Sequence, residues 1–265
     1  MLSSPDLISR LRAAGCVFAE DEAEILARAA RTPDQLESMV AARVRGLPLE
    51  QVVGWADFRG LRIHVDPGVF APRRRSEFLV ETAVALEPAR DPVIVDVCCG
   101  TGALGVATAH ALPGAELHAA DLDPAAVACA RRNVEPAGGH VYEGDLFGPL
   151  PASLRGQVSI LICNAPYVPT REIALMPPEA RDHEARIALD GGGDGLAVLR
   201  RAASAAPEWL APGGTLLVET GERQAEPMTE AMTSAGLLAR AHYDDETGAT
   251  VVTGTTAPWV RDRLW

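Results

Sequence analysis

The chain has 265 residues, 48% of them hydrophobic, which suits one large domain or a catalytic domain with a small appendage. Against 24 basic residues stand 36 acidic ones, a net charge of −12, and this argues against non-specific nucleic-acid binding, which needs a basic face. No uncharged apolar run reaches the roughly 18 residues of a membrane span, and the first residues lack the layout of a signal peptide, so a cytoplasmic protein with no membrane attachment is expected.

Residues 1–46 read as a helical unit. Ser4 can cap a first helix with Pro5 at its first position, and Gly15 ends it. Residues 20–31 form a second amphipathic stretch. Thr32 then caps a third helix that starts at Pro33 and runs to Gly46. From 47 to 77 the pattern changes: residues 55–65 alternate around a turn at Arg59-Gly60, which predicts a β-hairpin linking the two units. The basic run Arg73-Arg74-Arg75 reads as a solvated face, and a helix is expected over 76–86.

Residues 78–265 alternate short apolar strands with helical segments. Strands are predicted at 93–97, 116–120, 140–142, 158–163 and 215–219, with helices at 104–112, 124–133 and 196–210. That alternation predicts an α/β, doubly wound parallel sheet. Segments 239–243 and 250–255 read as a closing antiparallel hairpin. The five cysteines (Cys16, Cys98, Cys99, Cys129, Cys163) lack metal-site spacing and read as reduced, mostly buried thiols, so no metal is expected.

Gly100-Thr101-Gly102-Ala103-Leu104-Gly105 is a G-x-G-x-x-G pattern between a strand and a helix, where glycines allow a tight turn and close approach of a ligand. Asp121, at the end of the next strand, is placed to hydrogen-bond ribose hydroxyls. Taken alone, the pattern fits a dinucleotide as well as S-adenosylmethionine (SAM). Asp96 shifts the balance: an acid ending the first strand resembles the SAM methyltransferases, whereas dinucleotide dehydrogenases keep that position apolar. The same resemblance extends the expected cofactor contacts to Cys98, Cys99, Gly100, Thr101, Gly102, Asp145, Leu146 and Asn164, with Asp145 and Leu146 near the adenine.

Asn164-Ala165-Pro166-Tyr167 follows the apolar strand at 158–163. A strand end that delivers an Asn, a rigid Pro and a Tyr suits a planar NH2 group. The Asn164 amide oxygen and a neighbouring carbonyl can each accept one N–H, and an aromatic ring can cover the plane. The segment resembles the Asn-Pro-Pro-Tyr motif of N-methyltransferases. On that resemblance Asn164, Pro166 and Tyr167 are the catalytic candidates, and Asn164 through Tyr167 hold the acceptor.

Residues 184–196, Glu-Ala-Arg-Ile-Ala-Leu-Asp-Gly-Gly-Gly-Asp-Gly-Leu, together with Phe70-Ala71-Pro72-Arg73 and Phe58-Arg59-Gly60, make the chain similar over most of its length to the release factor glutamine N5-methyltransferases. The resemblance implies a seven-stranded Rossmann-like SAM-dependent fold with a small N-terminal helical domain. It also implies methyl transfer to the Gly-Gly-Gln glutamine of a class I release factor, with S-adenosylhomocysteine as product. Ala165 in place of Pro, Arg74-Arg75 in place of a Pro and an acid, and Cys98-Cys99 mark a divergent subgroup. An amino-base methyltransferase acting on DNA or RNA is the alternative. A dehydrogenase conflicts with Asp96 and the Asn164 loop, and a relic without activity conflicts with the presence of both sets of residues. Among the histidines, only His183 invites a test, in a loop expected to face the site.

Overall fold

The computed structural model describes residues 4–88 and 90–257. Three helices open the chain: α1 (Ser4–Ala13), α2 (Ala19–Ala29) and α3 (Pro33–Val44). The side chain of Ser4, the expected cap of α1, lies outside the described residues. Gly15 takes φ +92 just past α1, the left-handed conformation that glycine adopts without a Cβ clash. At α3 the Thr32 hydroxyl oxygen accepts the Gln35 N–H at 3.1 Å, and Pro33 opens the helix. Leu7, Leu11, Ala23, Leu26 and Val40 give these helices a core of their own. Beside it, the buried Arg43 donates through Nε (2.6 Å) and Nη2 (3.1 Å) to Glu22.

A short helix α4 (Leu49–Val53), absent from the sequence reading, precedes the expected hairpin of β1 (Trp55–Phe58) and β2 (Leu61–His64). Its turn residues Arg59 (φ +49) and Gly60 (φ +75) are both left-handed, the twist that matches flanking antiparallel strands. Phe58 and Ile63 are buried in the same cluster as Leu79, Leu104 and Leu117. The hairpin therefore packs into the α/β core.

Then follow α5 (Glu77–Val84), β3 (Val93–Val97), α6 (Ala103–Ala111), β4 (Glu116–Asp121), α7 (Pro124–Val134), β5 (His140–Glu143) and β6 (Val158–Cys163). The chain continues through α8 (Pro178–His183), α9 (Ala197–Trp209), β7 (Leu210–Thr220), α10 (Ala225–Ser234), β8 (Leu238–Asp244) and β9 (Ala249–Thr255). The seven strands from β3 on form one sheet in the order β5-β4-β3-β6-β7-β9-β8, parallel except for β9, which runs antiparallel to both neighbours. This is the expected doubly wound sheet, closed by the expected antiparallel pair.

Helices α5, α6 and α7 cover one face, burying Leu79, Val80, Ala107, Ala130 and Val134. Helices α9 and α10 cover the other with Leu199, Ala203, Ala206, Met228 and Met232. Strand β3 pairs with β4 on one side and β6 on the other, so the chain direction across the sheet reverses there. The crevice beyond the carboxyl ends of β3 and β6 is where open α/β sheets bind ligands. Among the described residues, no helix is long and apolar enough to cross a membrane.

Candidate active site

The loop after β3 is built from left-handed residues: Cys98 (φ +56), Gly100 (φ +56) and Gly102 (φ +76). It is tied down by backbone. The Gly100 N–H donates to Asp121 Oδ2 at 2.8 Å, Cys99 N–H to the Ala120 carbonyl at 3.1 Å, and Gly102 N–H to the Cys99 carbonyl at 2.7 Å. Asp121 Oδ1 accepts the Asp123 N–H at 2.9 Å. Burial raises the Asp121 carboxyl above its ordinary value, partly offset by these N–H donors.

Asp96 lies beneath the loop, fully buried, with Oδ2 accepting the Gly105 N–H at 2.9 Å and Oδ1 unpartnered. Burial pushes its carboxyl up to about 7. A Cβ at Gly105 would come within 2.9 Å of the Leu117 side chain and 3.0 Å of Asp96, so the third glycine lets α6 sit against the sheet.

A cleft open to solvent lies over this loop. Gly100, Thr101, Asp121, Asp145 and Leu146 line it, as do Cys98 and Cys99. Phe70 and Pro72 come from the segment before α5, and Arg201 comes from α9. Arg201 Nη2 donates to Asp145 Oδ2 at 2.6 Å. A hydrogen bond with Cys163 and burial hold the Cys98 thiol well above its ordinary pKa, and burial does the same for Cys99. Both are therefore thiols at neutral pH and weak nucleophiles.

Asn164 and Pro166 line the same cleft. The Asn164 NH2 donates to Glu219 Oε2 at 3.2 Å and to Ser76 Oγ at 3.5 Å. Glu219, at the end of β7 and only 2% exposed, also accepts from Ser76 Oγ (2.5 Å), Tyr167 Oη (2.9 Å) and Arg75 Nε (3.0 Å). Arg75 donates in turn to the Tyr167 hydroxyl. Burial, then the Glu219 charge, raise the Tyr167 phenol above its ordinary pKa.

The block after α8 braces this loop. Gly191 N–H donates to the Val168 carbonyl at 2.9 Å, Val168 N–H to the Leu189 carbonyl at 3.2 Å, and Thr170 N–H to the Gly192 carbonyl at 2.9 Å. Gln224 Nε2 donates to the Tyr167 carbonyl at 2.8 Å. A Cβ at Gly191 would lie 2.6 Å from the Pro166 carbonyl oxygen, so only glycine allows the two segments to lie this close.

The Methyltransferase small domain family matches residues 60–211. A release factor glutamine methyltransferase from Mycolicibacterium smegmatis is 42% identical over 201 residues, covering 76% of this chain and 71% of that one. One from Bradyrhizobium diazoefficiens is 34% identical over 254 residues, covering 88% and 86%. The chain belongs to the release factor glutamine methyltransferase family. A Pyrococcus furiosus methyltransferase shares the fold, with a TM-score of 0.57 at 14% identity, over 83% of this chain and 99% of that one.

A methyltransferase of this family uses SAM, and the cleft fits it. The glycine loop offers close backbone approach at the start of α6. Asp121 is aimed at the cleft, with lone pairs beyond those engaged by its two N–H donors. Four residues expected at the site, Asp96, Gly102, Ala165 and Tyr167, do not line the cleft. Asp96 lies under the loop, and Gly102 faces Val134 and Ala130 of α7. Ala165 is buried at 2% exposure. Tyr167 is not among the cleft-lining residues; its hydroxyl is held by Glu219 and Arg75.

The basic run is only in part the solvated face expected: Arg74 and Arg75 are exposed, but Arg75 also joins Glu219, and Arg73 pairs with the buried Glu184 and packs over the Phe70 ring. His183 sits at the end of α8 against Gly46, outside the cleft lining. Ser76, Arg201 and Glu219 escaped the sequence reading. Glu219 offered one signal, an acid ending an otherwise apolar strand.

Proposed function

We propose that this chain transfers a methyl group from SAM to the side-chain amide nitrogen of a glutamine in a peptide chain release factor, the Gly-Gly-Gln glutamine of a class I factor. A release factor acceptor implies reaction in the cytoplasm. The observation that carries the reading is that Asn164 and Pro166 line one cleft with Gly100, Thr101 and Asp121. Acceptor and cofactor residues therefore meet at a single opening.

SAM, when bound, supplies an electrophilic methyl group. Gly100 and Thr101 would hold it through the loop backbone, Asp121 would hold the ribose, and Asp145 with Leu146 would contact the adenine. The chain's own contribution is orientation. An amide nitrogen is a poor nucleophile because its lone pair is delocalised. Asn164 Oδ1 and the Ala165 carbonyl each accept one N–H of the acceptor amide, which fixes its plane. They also stabilise N–H bonds that become more acidic as the nitrogen gives up its lone pair, and one of these protons is released to solvent as S-adenosylhomocysteine leaves. Pro166 keeps the carbonyl rigid, and Tyr167 anchors the loop through its hydroxyl. A backbone carbonyl serves at position 165 whatever the side chain, so Ala in place of Pro leaves this chemistry intact.

The test is methylation of purified class I release factor with labelled SAM, followed by mass spectrometry of the Gly-Gly-Gln peptide. One added methyl on that glutamine is the expected result. Label in RNA or DNA but not in the protein would overturn the reading.

A further inference from the structure

Glu219 shares no motif with the acceptor loop, yet it is the group on which that loop converges. Strands β6 and β7 are paired in parallel, with Cys163 opposite Val218. The next residue on each strand is therefore Asn164 beside Glu219, just past the ladder. Four side chains face the Glu219 carboxylate, and each of them donates. Arg75 and Tyr167 reach Oε1, while Ser76 and Asn164 reach Oε2. The direction of the tyrosine bond is forced: Arg75 can only donate to the Tyr167 hydroxyl, so the phenol hydrogen goes to Glu219. Arg75 supplies the counter-charge that a buried carboxylate needs.

An amide side chain can turn over and exchange its oxygen and nitrogen with little change in shape. Here the surroundings permit one arrangement. A carboxylate accepts only, so the Asn164 NH2 must face Glu219 Oε2 at 3.2 Å, with Ser76 Oγ on the same side at 3.5 Å. The NH2 side of the Asn164 carboxamide is then committed to Glu219, and Oδ1 is the atom left for the cleft. The reverse arrangement would set an oxygen against a buried carboxylate and present an NH2 to the N–H groups of the acceptor nitrogen.

We infer that Glu219 is a positioning residue: held by Ser76, Arg75 and Tyr167, it locks the Asn164 carboxamide with its oxygen toward the methyl acceptor. This rests on the acceptor role proposed for Asn164. Glu219 touches neither the substrate nor the cofactor, and acts only through the side chain beside it.

The test is a swap. In Glu219→Gln the carboxylate becomes an amide of the same shape that no longer dictates which way Asn164 faces. The expected result is a fall in kcat of about 100-fold, the scale of losing one aligned group in a polar site. SAM KM and S-adenosylhomocysteine Kd should stay within about threefold, since the cofactor lining does not include Glu219. Asn164→Asp alone sets two carboxylates against each other. In the double variant Asn164→Asp/Glu219→Gln, the glutamine NH2 donates to one aspartate oxygen and the other faces the acceptor. Its kcat should exceed that of the poorer single variant by about tenfold or more. The orientation is also read without any acceptor protein, from the Asn164 side-chain NH2 signals in a ¹H–¹⁵N spectrum. One proton should lie downfield in the wild type and move upfield in Glu219→Gln. If Glu219→Gln does not fold, Ser76→Ala removes a donor that holds the Glu219 carboxylate, and the same spectrum should show the Glu219-bonded Asn164 proton shifting.

Unchanged kcat in Glu219→Gln, equal losses in kcat and cofactor affinity, or a double variant as poor as the product of the singles would each overturn the inference. Inactivity of the wild type on release factor would instead remove the proposed function, while the carboxamide signals still report whether Glu219 orients Asn164.

Discussion

Asp121 Oδ2 accepts the Gly100 N–H at 2.8 Å and ties the glycine loop after β3 to the end of β4. One carboxylate therefore shapes the cofactor loop and faces the cleft. Asp121→Ala loses both roles. Its affinity for S-adenosylhomocysteine should fall about 10- to 100-fold, the range for a charged hydrogen bond, while kcat at saturating SAM changes by less than about fivefold. Titration calorimetry with steady-state kinetics separates the two.

Asn164→Ala removes the oxygen assigned to the acceptor and none of the loop that cradles the cofactor. Transfer should drop about 1,000-fold or more, and S-adenosylhomocysteine affinity should hold within about threefold. A variant that keeps a tenth of wild-type activity would refute the role given to Asn164.

Gly191→Ala places a Cβ 2.6 Å from the Pro166 carbonyl oxygen, closer than carbon and oxygen can lie. The block that braces the acceptor loop must shift. The expected outcome is a lower melting temperature together with a loss of kcat, because misplacement of about 1 Å at a reacting group can cost about 100-fold. Scanning calorimetry and the peptide assay read the two effects on one preparation.

Asp96 is the pH-sensitive group of the core. Its carboxyl is pushed up to about 7 by burial, from an ordinary 3.8. Between those values the folded protein holds this proton and the unfolded chain releases it. The contribution to stability is therefore complete below about pH 4 and is lost as pH rises through about 7. Asp96→Asn keeps an acceptor for the Gly105 N–H and abolishes the titration. The stability of the variant relative to wild type should improve by about 2 kcal/mol between pH 5 and pH 8, as measured by urea unfolding at each pH. A difference that is flat with pH would show that Asp96 does not titrate there.

Arg43 and Glu22 are a buried pair with side-chain exposures of 9% and 11%. Arg43→Ala leaves the Glu22 carboxylate buried beside an empty site and should cost about 3 kcal/mol or more. Glu22→Gln added to it should recover part of that loss, as read from denaturant midpoints.

Most of the sheet was legible because its strands are apolar runs bounded by glycine or acid, and the N-terminal helices and the hairpin because Gly15, Thr32 and Gly60 carry local cap and turn chemistry. Helix α10 was missed: Pro227 sits in its first turn and its buried face rests on two methionines, Met228 and Met232, too sparse to show a period. The cofactor loop is contiguous in sequence and could be found by motif. The acceptor site is not. Glu219 meets Ser76 across 143 residues and Arg75 across 144, and no local pattern announces such a meeting. The pairing of Arg73 and Arg75 was hidden for the same reason, since their partners Glu184 and Glu219 lie far along the chain.

Those same separations bear on how the enzyme becomes active during folding. The glycine loop and Asp121 are only 21 residues apart and can come together with the first βαβ unit. The Ser76–Glu219 and Arg73–Glu184 links close loops of more than 100 residues, which form late because long-range closure is slow. The glycine loop and Asp121 are therefore expected to gain protection before the acceptor loop does, an order that pulse-labelled hydrogen exchange during refolding reads directly.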